Sequence, residues 1–310
     1  MLLKSDNVFN QLRCPVCSSA RVKQIYTGRD LVVTRFIGQR TVVLSLLKCR
    51  TCGMLFLGPL QYSPDVIHEA YWKMLIENIS RDFSVDRWSQ TIDLAKLDIY
   101  RKTNRILEIG CGDGFLLNYI REQGWQVTGI DFSRTAVALA NDQYGLKVIE
   151  AELNEELAQE LGPDSFDAIV MWGMIEHLTA PLEILRLSNI LLRRGGAVVI
   201  YTPNADSIFH RLARTSYLGT GKLVKFQMER VIIAMHPLYF NMKTLQDVLK
   251  RSGFRVHQLE MVDIDLSLIF NAHRQFWWSK RIFFSLATLL QKLSHLIKMQ
   301  SHLLAVAEKI

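Results

Sequence analysis

The sequence predicts an α/β domain, with a parallel sheet covered by helices on both faces, behind a small cysteine-bearing N-terminal unit. Three observations predict it. From residue 105 onward, short apolar runs alternate with segments of helical periodicity, as strands buried on both faces require. The first run ends in closely spaced glycines, ILEIGCGDG at residues 106–114. Upstream, two Cys-x-x-Cys pairs flank β-leaning segments separated by glycine.

Taken in order, residues 1–60 read as a ribbon-like unit. CPVC is followed by QIYTG, LVVTRFIG and RTVVLSLL, and then by CRTCG. Residues 61–100, including YSPDVIHEAYW, have mixed periodicity and read as a helical linker. Residues 101–310 form the main domain. RILEIGC is a strand, FLLNYIREQG a helix stopped by Gly, WQVTGID a strand and SRTAVALANDQYG a helix. KVIEAEL and FDAIVMWG are the next two strands, PLEILRLSNILLRRGG a helix running from Pro to Gly-Gly, and GAVVIYTPN a fifth strand. Residues 205–240 are basic, aromatic and poorly periodic, as a lid would be. TLQDVLKRSGF is a helix, FRVHQLEMV a strand, and LLAVAEK a terminal strand. An amphipathic insertion occupies 266–300.

Composition sets the class. Of 310 residues 49% are hydrophobic and 22% charged, ordinary for a globular protein with a real core. MLLKSDNVFN lacks the apolar stretch of a secretory signal, and no run has the roughly 18 apolar residues of a membrane span. A cytoplasmic protein is expected. The net charge of +7 is uneven: +7 over residues 1–60, −3 over 61–100, −5 over 101–203 and +8 over 204–310. Basic ends suit an anionic partner (nucleic acid, a membrane surface or a phosphorylated substrate) and equally suit plain solubility.

The glycine turn carries the chemistry. Gly110, Gly112 and Gly114 let the backbone turn tightly and approach a ligand at a helix N-terminus. Asp131 ends the next strand, where a doubly wound fold places an acid to hold ribose hydroxyls. NAD is the competing ligand. Its fingerprint is Gly-x-Gly-x-x-Gly, whereas this turn is Gly-x-Gly-x-Gly, and Asp113 would lie against the pyrophosphate. Glu108 and Asp113 suit a ligand bearing an ammonium and a sulfonium, and S-adenosylmethionine is one.

These residues resemble the class I, Rossmann-like S-adenosylmethionine-dependent methyltransferases, in the bacterial branch of ubiquinone-type and sugar methyltransferases. Four segments carry the resemblance: ILEIGCGDG, GIDFS, FDAIVMWGMIEHL with LLRRGGAVVIYTPN, and HPLYFNMKTLQDVLKRSGF. It implies a seven-stranded sheet. Glu108, Gly110, Gly112 and Gly114 should surround the methionine part, Asp131 the ribose, and Phe132 the adenine. Glu152 and Leu153 should line the adenine edge, with Trp172 and Met174 beneath the sulfonium. Core packing would explain Trp172 otherwise, and a helix cap Asp131.

Methyl transfer needs alignment and, for some acceptors, a base. His177 in IEHL and His236 in MHPLYF are the candidates, and each could instead be a hydrogen-bonded structural histidine. The sugar C-methyltransferases pair a Glu with the later His, but here Met235 precedes His236. One base without a carboxylate suits O-methylation of a hydroxyl. The expected acceptor is a small molecule, such as a sugar of a surface glycan or its lipid- or nucleotide-linked precursor.

Cys14, Cys17, Cys49 and Cys52 supply four thiolates for a structural Zn2+. The 31 residues between the pairs exceed the usual spacing, and no βαβ pattern supports a thioredoxin-like alternative. The resemblance extends to the zinc ribbons attached to many methyltransferases of this branch.

Residues 266–307 hold no Asp or Glu. Phe283, Leu286, Leu290, Leu293 and Ile297 recur at helical spacing, with Lys280, Arg281, Lys292 and Lys298 beside them and Trp277 and Trp278 at the start. A helix lying on an anionic bilayer through residues 276–298 has this composition. So does a helix packed on the sheet or in a dimer. Membrane contact would put the protein on the inner face of the membrane. A zinc-ribbon RNA methyltransferase is the second reading of the whole chain, though no Asn-Pro-Pro-Tyr type motif is present. A non-catalytic scaffold that keeps the fold is the third.

Overall fold

The computed structural model describes residues 12–30, 42–60, 68–70, 72–73, 95–223, 225–233, 235–263 and 277–310. The LVVTRFIG segment, most of the 61–100 linker and the first part of the insertion lie outside them.

A seven-stranded sheet forms the main domain. Its strands are β4 (Arg105–Ile109), β5 (Gln126–Asp131), β6 (Ile149–Glu150), β7 (Phe166–Trp172), β8 (Leu192–Pro203), β10 (Phe254–Val262) and β11 (His302–Lys309), in the order β10-β11-β8-β7-β4-β5-β6. Pairings from β6 through β8 are parallel, and β11 runs antiparallel to both neighbours. Ile106, Leu107, Ala168, Ile169, Val170 and Met171 are fully buried, as strands covered on both faces must be. The strand order reverses between β4 and β7, and folds of this kind bind ligands at the carboxyl ends of the strands at that point.

The helices obey their caps. Gly114, at φ 75°, starts α2 (Phe115–Glu122). Ser133 caps α3 (Arg134–Tyr144) by accepting the Ala136 N–H, and Gly145 ends it at φ 61°. Asn154 caps α4 (Glu155–Leu161), and Asn241 with Thr244 forms a reciprocal capping box on α8 (Met242–Arg251). A short helix α1 (Ala95–Asp98) precedes the sheet.

Two expectations are corrected, and a third segment proves partly helical. The third strand is only Ile149–Glu150, because Ala151 turns to bond Ile149 O and Asp131 O, and Asn154 then starts a helix. Helix α5 (Pro181–Leu191) stops five residues before the Gly-Gly pair ends. Leu192 already pairs with Phe166, and Arg193 reaches back to buried Asp167 at 2.5 Å. The glycines instead fill a bulge in β8, where a Cβ on Gly196 would meet backbone oxygens at 2.9 Å. Within 205–240, Ser207 caps a 12-residue helix, α6 (Ile208–Gly219), followed by α7 (Phe226–Val231).

The N-terminal strands β1 (Val22–Asp30), β2 (Val42–Cys49) and β3 (Leu55–Leu57) form an antiparallel sheet. Its fourth strand is β9 (Leu238–Tyr239), from the main domain, which pairs Leu238 with Phe56 and Tyr239 with Leu55. The cores follow suit. Cys14, Val16, Leu47, Cys49, Met54 and Phe56 pack in one cluster with Leu107, Ile109, Leu238 and Phe240. On the other face, Tyr26, Leu44 and Leu46 pack with Ala213 and Tyr217 of α6.

Helix α9 (Trp277–Leu296) lies between β10 and β11. It buries Ala287 and Ser294 and leaves Leu286, Leu289, Leu293 and Leu296 exposed, with Ile297 just beyond its end. Of the expected stripe, Leu286, Leu293 and Ile297 therefore face outward and Leu290 is half-buried, while the Phe283 side chain lies outside the described residues. No described helix is long and apolar enough to cross a membrane.

Candidate functional site

The carboxyl ends of β4 and β5 bring the glycine turn and Asp131 together. Gly110, Gly112 and Gly114 all have positive φ, at 73°, 54° and 75°. A Cβ on Gly110 would lie 2.6 Å from Met174 Cγ, and one on Gly112 would lie 2.8 Å from Trp72 Cζ2. Both positions require glycine for conformation and for space. Asp131 accepts the Gly112 N–H at 2.9 Å on one oxygen and the Ser133 N–H at 2.8 Å on the other. It is the clamp of the turn, while the helix cap is Ser133.

Glu108 is 2% exposed, and its Oε2 is buried without a hydrogen-bond partner. Burial, then Asp113, then Asp131 push its carboxyl well above the usual range. Burial also raises Asp113 and Asp131. Three acids converge on one turn, one of them unsatisfied, an arrangement that favours a cationic ligand. The donor set fits the ammonium and sulfonium of S-adenosylmethionine.

Phe132 is half-buried, and the His68 ring meets it edge-on with centroids 5.5 Å apart. Leu153 is buried in the main core beside Ile130 and Leu157, whereas Glu152 is exposed. Trp172 stacks on Tyr201 at 4.1 Å, and Tyr201 stacks on His302 at 4.7 Å. The buried Trp172 Nε1 has no partner. Met174 lies over Gly110.

Sequence reasoning missed the contribution of the 68–73 segment. Glu69 accepts hydrogen bonds from Ser133 Oγ at 2.7 Å and Thr135 Oγ1 at 2.5 Å, pinning this segment to the start of α3. Trp72 then covers Gly112. The signal in the sequence was IHEAYW, an unusually chemical run for a linker. Nothing local said where it docks.

The two predicted histidines meet. His177, in a 3-10 turn (Ile175–His177) after β7, and His236, two residues before β9, have ring centroids 4.7 Å apart. His68 stands 4.4 Å from His177. His177 Nδ1 bonds the Met235 carbonyl oxygen at 2.6 Å, so Nδ1 carries the proton and Nε2 the lone pair. Burial, then His68, depress His177 to about 3, and burial, then His236, depress His68 to about 4. Burial, then its histidine neighbours, hold His236 well below the usual value. Beside them Glu176 is buried, its Oε2 accepts the Thr202 hydroxyl at 2.8 Å, and burial raises it to about 7.

The cysteines also converge. The four Sγ atoms lie within 4.8 Å of one another, with Cys14–Cys52 and Cys17–Cys49 both at 3.5 Å. A disulfide needs about 2.05 Å, and all four are free thiols. Zn–S bonds of about 2.3 Å put tetrahedral sulfurs close to 3.8 Å apart. The cluster therefore fits a structural Zn2+.

Among known proteins, the chain is 35% identical to a ubiquinone biosynthesis O-methyltransferase of Aeromonas salmonicida over 105 residues, 33% of this chain and 44% of that one. It is 29% identical to the Vibrio cholerae protein of the same name over 128 residues, 40% of this chain and 51% of that one. The chain thus spans about half the length of the curated relatives it matches. Among solved structures, it is similar to a SAM dependent methyltransferase from Archaeoglobus fulgidus, with 20% identity, 77% and 99% of the two chains covered, and a TM-score of 0.49. It is also similar to an S-adenosylmethionine dependent methyltransferase from Mesorhizobium loti, with 18% identity, 69% and 96% covered, and a TM-score of 0.44. A family model described as a methyltransferase domain matches residues 83–259. The match covers more than half of the sequence, and the chain belongs to the methyltransferase-domain family.

Proposed function

We propose that this protein transfers the methyl group of S-adenosylmethionine to a hydroxyl oxygen of a small-molecule acceptor. The observation that carries it is the unpartnered carboxylate oxygen of Glu108, buried beside Asp113 and Asp131 at a positive-φ glycine turn. The cofactor supplies an already activated methyl carbon. The chain supplies the rest. Glu108 and Asp113 neutralise the ligand's positive groups, and the glycines admit its amino-acid end. Asp131, held by two backbone N–H groups, faces the ribose, and Phe132 and Leu153 border the base. Met174 lies against Gly110, beside the reacting end. His177, with Nδ1 engaged on the Met235 carbonyl, and His236 form the acceptor side, where the hydroxyl must lose its proton.

O-methylation is supported by the histidines standing together while Met235 occupies the position of the partner carboxylate. Sugar hydroxyls of a surface glycan or its precursor are the acceptors expected from sequence, and phenolic hydroxyls belong in the same panel. The cysteine cluster, in this reading, holds a structural Zn2+. Peripheral attachment to an anionic bilayer is the second part of the proposal. Its support is the outward row Leu286, Leu289, Leu293 and Leu296, with exposed Lys292 and Lys298 and no acid in residues 266–307.

Calorimetry with S-adenosylhomocysteine, wild type beside Asp131→Ala, tests the cofactor reading. Binding that the substitution weakens at least a hundredfold supports it. No binding by the folded wild type ends it and leaves the scaffold reading.

A further inference from the structure

We propose that Glu176, His177 and His236 bind one divalent first-row transition-metal ion, separate from the cysteine cluster. One ligand atom from each of the three lies within 4.8 Å of the other two. The residues come from two elements, the 3-10 turn after β7 and the segment leading into β9, so folding assembles the set.

Two of the three ligands are held from behind, as metal ligands are. The Met235 carbonyl fixes His177 as the tautomer with its lone pair on Nε2. The Thr202 hydroxyl holds one oxygen of Glu176 at 2.8 Å. Among the described residues, no Lys or Arg pairs with Glu176, although it is 3% exposed. A buried carboxylate beside imidazoles costs stability unless something cationic joins them. His68 adds a further sign: its ring is 4.4 Å from His177, and its buried Nε2 has no hydrogen-bond partner.

Two imidazoles and one carboxylate favour Mn2+, Fe2+, Co2+ or Zn2+ over Mg2+ or Ca2+, and they leave coordination positions open. This inference rests on the methyl-transfer reading and assigns the two histidines as ligands. The acceptor hydroxyl takes an open position, where the ion lowers its pKa. Its O–H bond breaks and the proton passes to solvent water. The oxygen lone pair forms the new O–CH3 bond. The S–CH3 bond breaks with its electron pair left on sulfur, so the sulfonium becomes a neutral thioether. The ion keeps its oxidation state throughout.

The test uses zinc-replete full-length protein titrated with Mn2+ and read by electron paramagnetic resonance. Mn2+ is chosen because thiolates bind it poorly. Wild type should bind one Mn2+ per chain, and Glu176→Gln and His236→Gln should each weaken that at least tenfold. S-adenosylhomocysteine affinity, measured in the same preparations, should stay within threefold and shows that the variants are folded. No saturable Mn2+ signal in wild type, or undiminished wild-type affinity in either variant, overturns the site. Failure of wild type to bind S-adenosylhomocysteine would count against the cofactor reading and leave the Mn2+ result to stand by itself.

Discussion

Phe56, in the cysteine-bearing sheet, pairs antiparallel with Leu238, two residues beyond His236. The Leu57 N–H bonds the Pro237 carbonyl at 2.8 Å alongside. The N-terminal unit is thus joined by backbone to the segment that carries a candidate acceptor-side histidine. Stripping metal from the cysteine cluster should lower turnover at least tenfold. S-adenosylhomocysteine affinity should stay within threefold, because the glycine turn lies on β4 and β5. Elemental analysis, calorimetry and a methyl-transfer assay before and after chelation check this. Equal loss of both functions would show that the cluster supports the whole fold instead.

Gly110→Ala should abolish cofactor binding while leaving a folded protein. The added Cβ would meet Met174 Cγ at 2.6 Å, at a φ of 73°. The strain is on the order of 1–2 kcal/mol, too little to unfold a typical domain. S-adenosylhomocysteine calorimetry with a thermal melt on the same sample decides it, and retained affinity would refute the placement of the ligand.

Cofactor binding should release protons in the pH range where Glu108 is still protonated. Burial, then Asp113 and Asp131, hold the Glu108 carboxyl well above its usual range. A bound ammonium favours the ionised form and brings it down, so the proton leaves on binding. Affinity accordingly falls as pH drops through the raised value. Enthalpies of S-adenosylhomocysteine binding in buffers of different ionisation enthalpy report the protons released. Glu108→Gln should remove the release and weaken binding about tenfold or more.

Asp167→Asn should cost about 3 kcal/mol at neutral pH, the order expected when a buried ion pair loses one partner. Asp167 accepts backbone N–H groups of Lys102, Thr103 and Asn104 at 2.8, 2.7 and 2.7 Å, and it pairs with Arg193. Burial alone would raise its pKa, but Arg193 and those three donors outweigh it and hold the carboxyl below the ordinary value. A depressed folded pKa contributes stability above the unfolded value of about 3.9 and loses it as pH falls through the folded one. The gap between wild type and variant in urea melts should therefore be full at pH 7 and shrink below about pH 4.

Leu289→Ser with Leu296→Ser should reduce sedimentation with vesicles containing anionic phosphatidylglycerol at least fivefold. These side chains are 63% and 82% exposed, so the fold should keep its melting temperature. Binding by wild type that is equal on neutral phosphatidylcholine vesicles would remove the electrostatic part of the argument.

The order of strands from 105 to 203 and the glycine turn with Asp131 were legible because their signals are local. Apolar run length, a glycine where φ must be positive, and a capping Ser or Asn all act within a few residues of chain. The end of α5 was misread because Leu192 and Arg193 obey partners 26 residues away, Phe166 and Asp167, and not the helical pattern preceding them.

By itself, then, the sequence determined a βα alternation with an acid-rich glycine turn, two Cys-x-x-Cys pairs and two histidines worth watching. Only the tertiary structure decided that β9 completes the cysteine-bearing sheet, that Trp72 and Glu69 close over the turn, and that His68 and Glu176 join His177 and His236. These contacts link segments from about 40 to more than 180 residues apart. No local pattern encodes them, because they exist only once separate elements bury their apolar faces against one another.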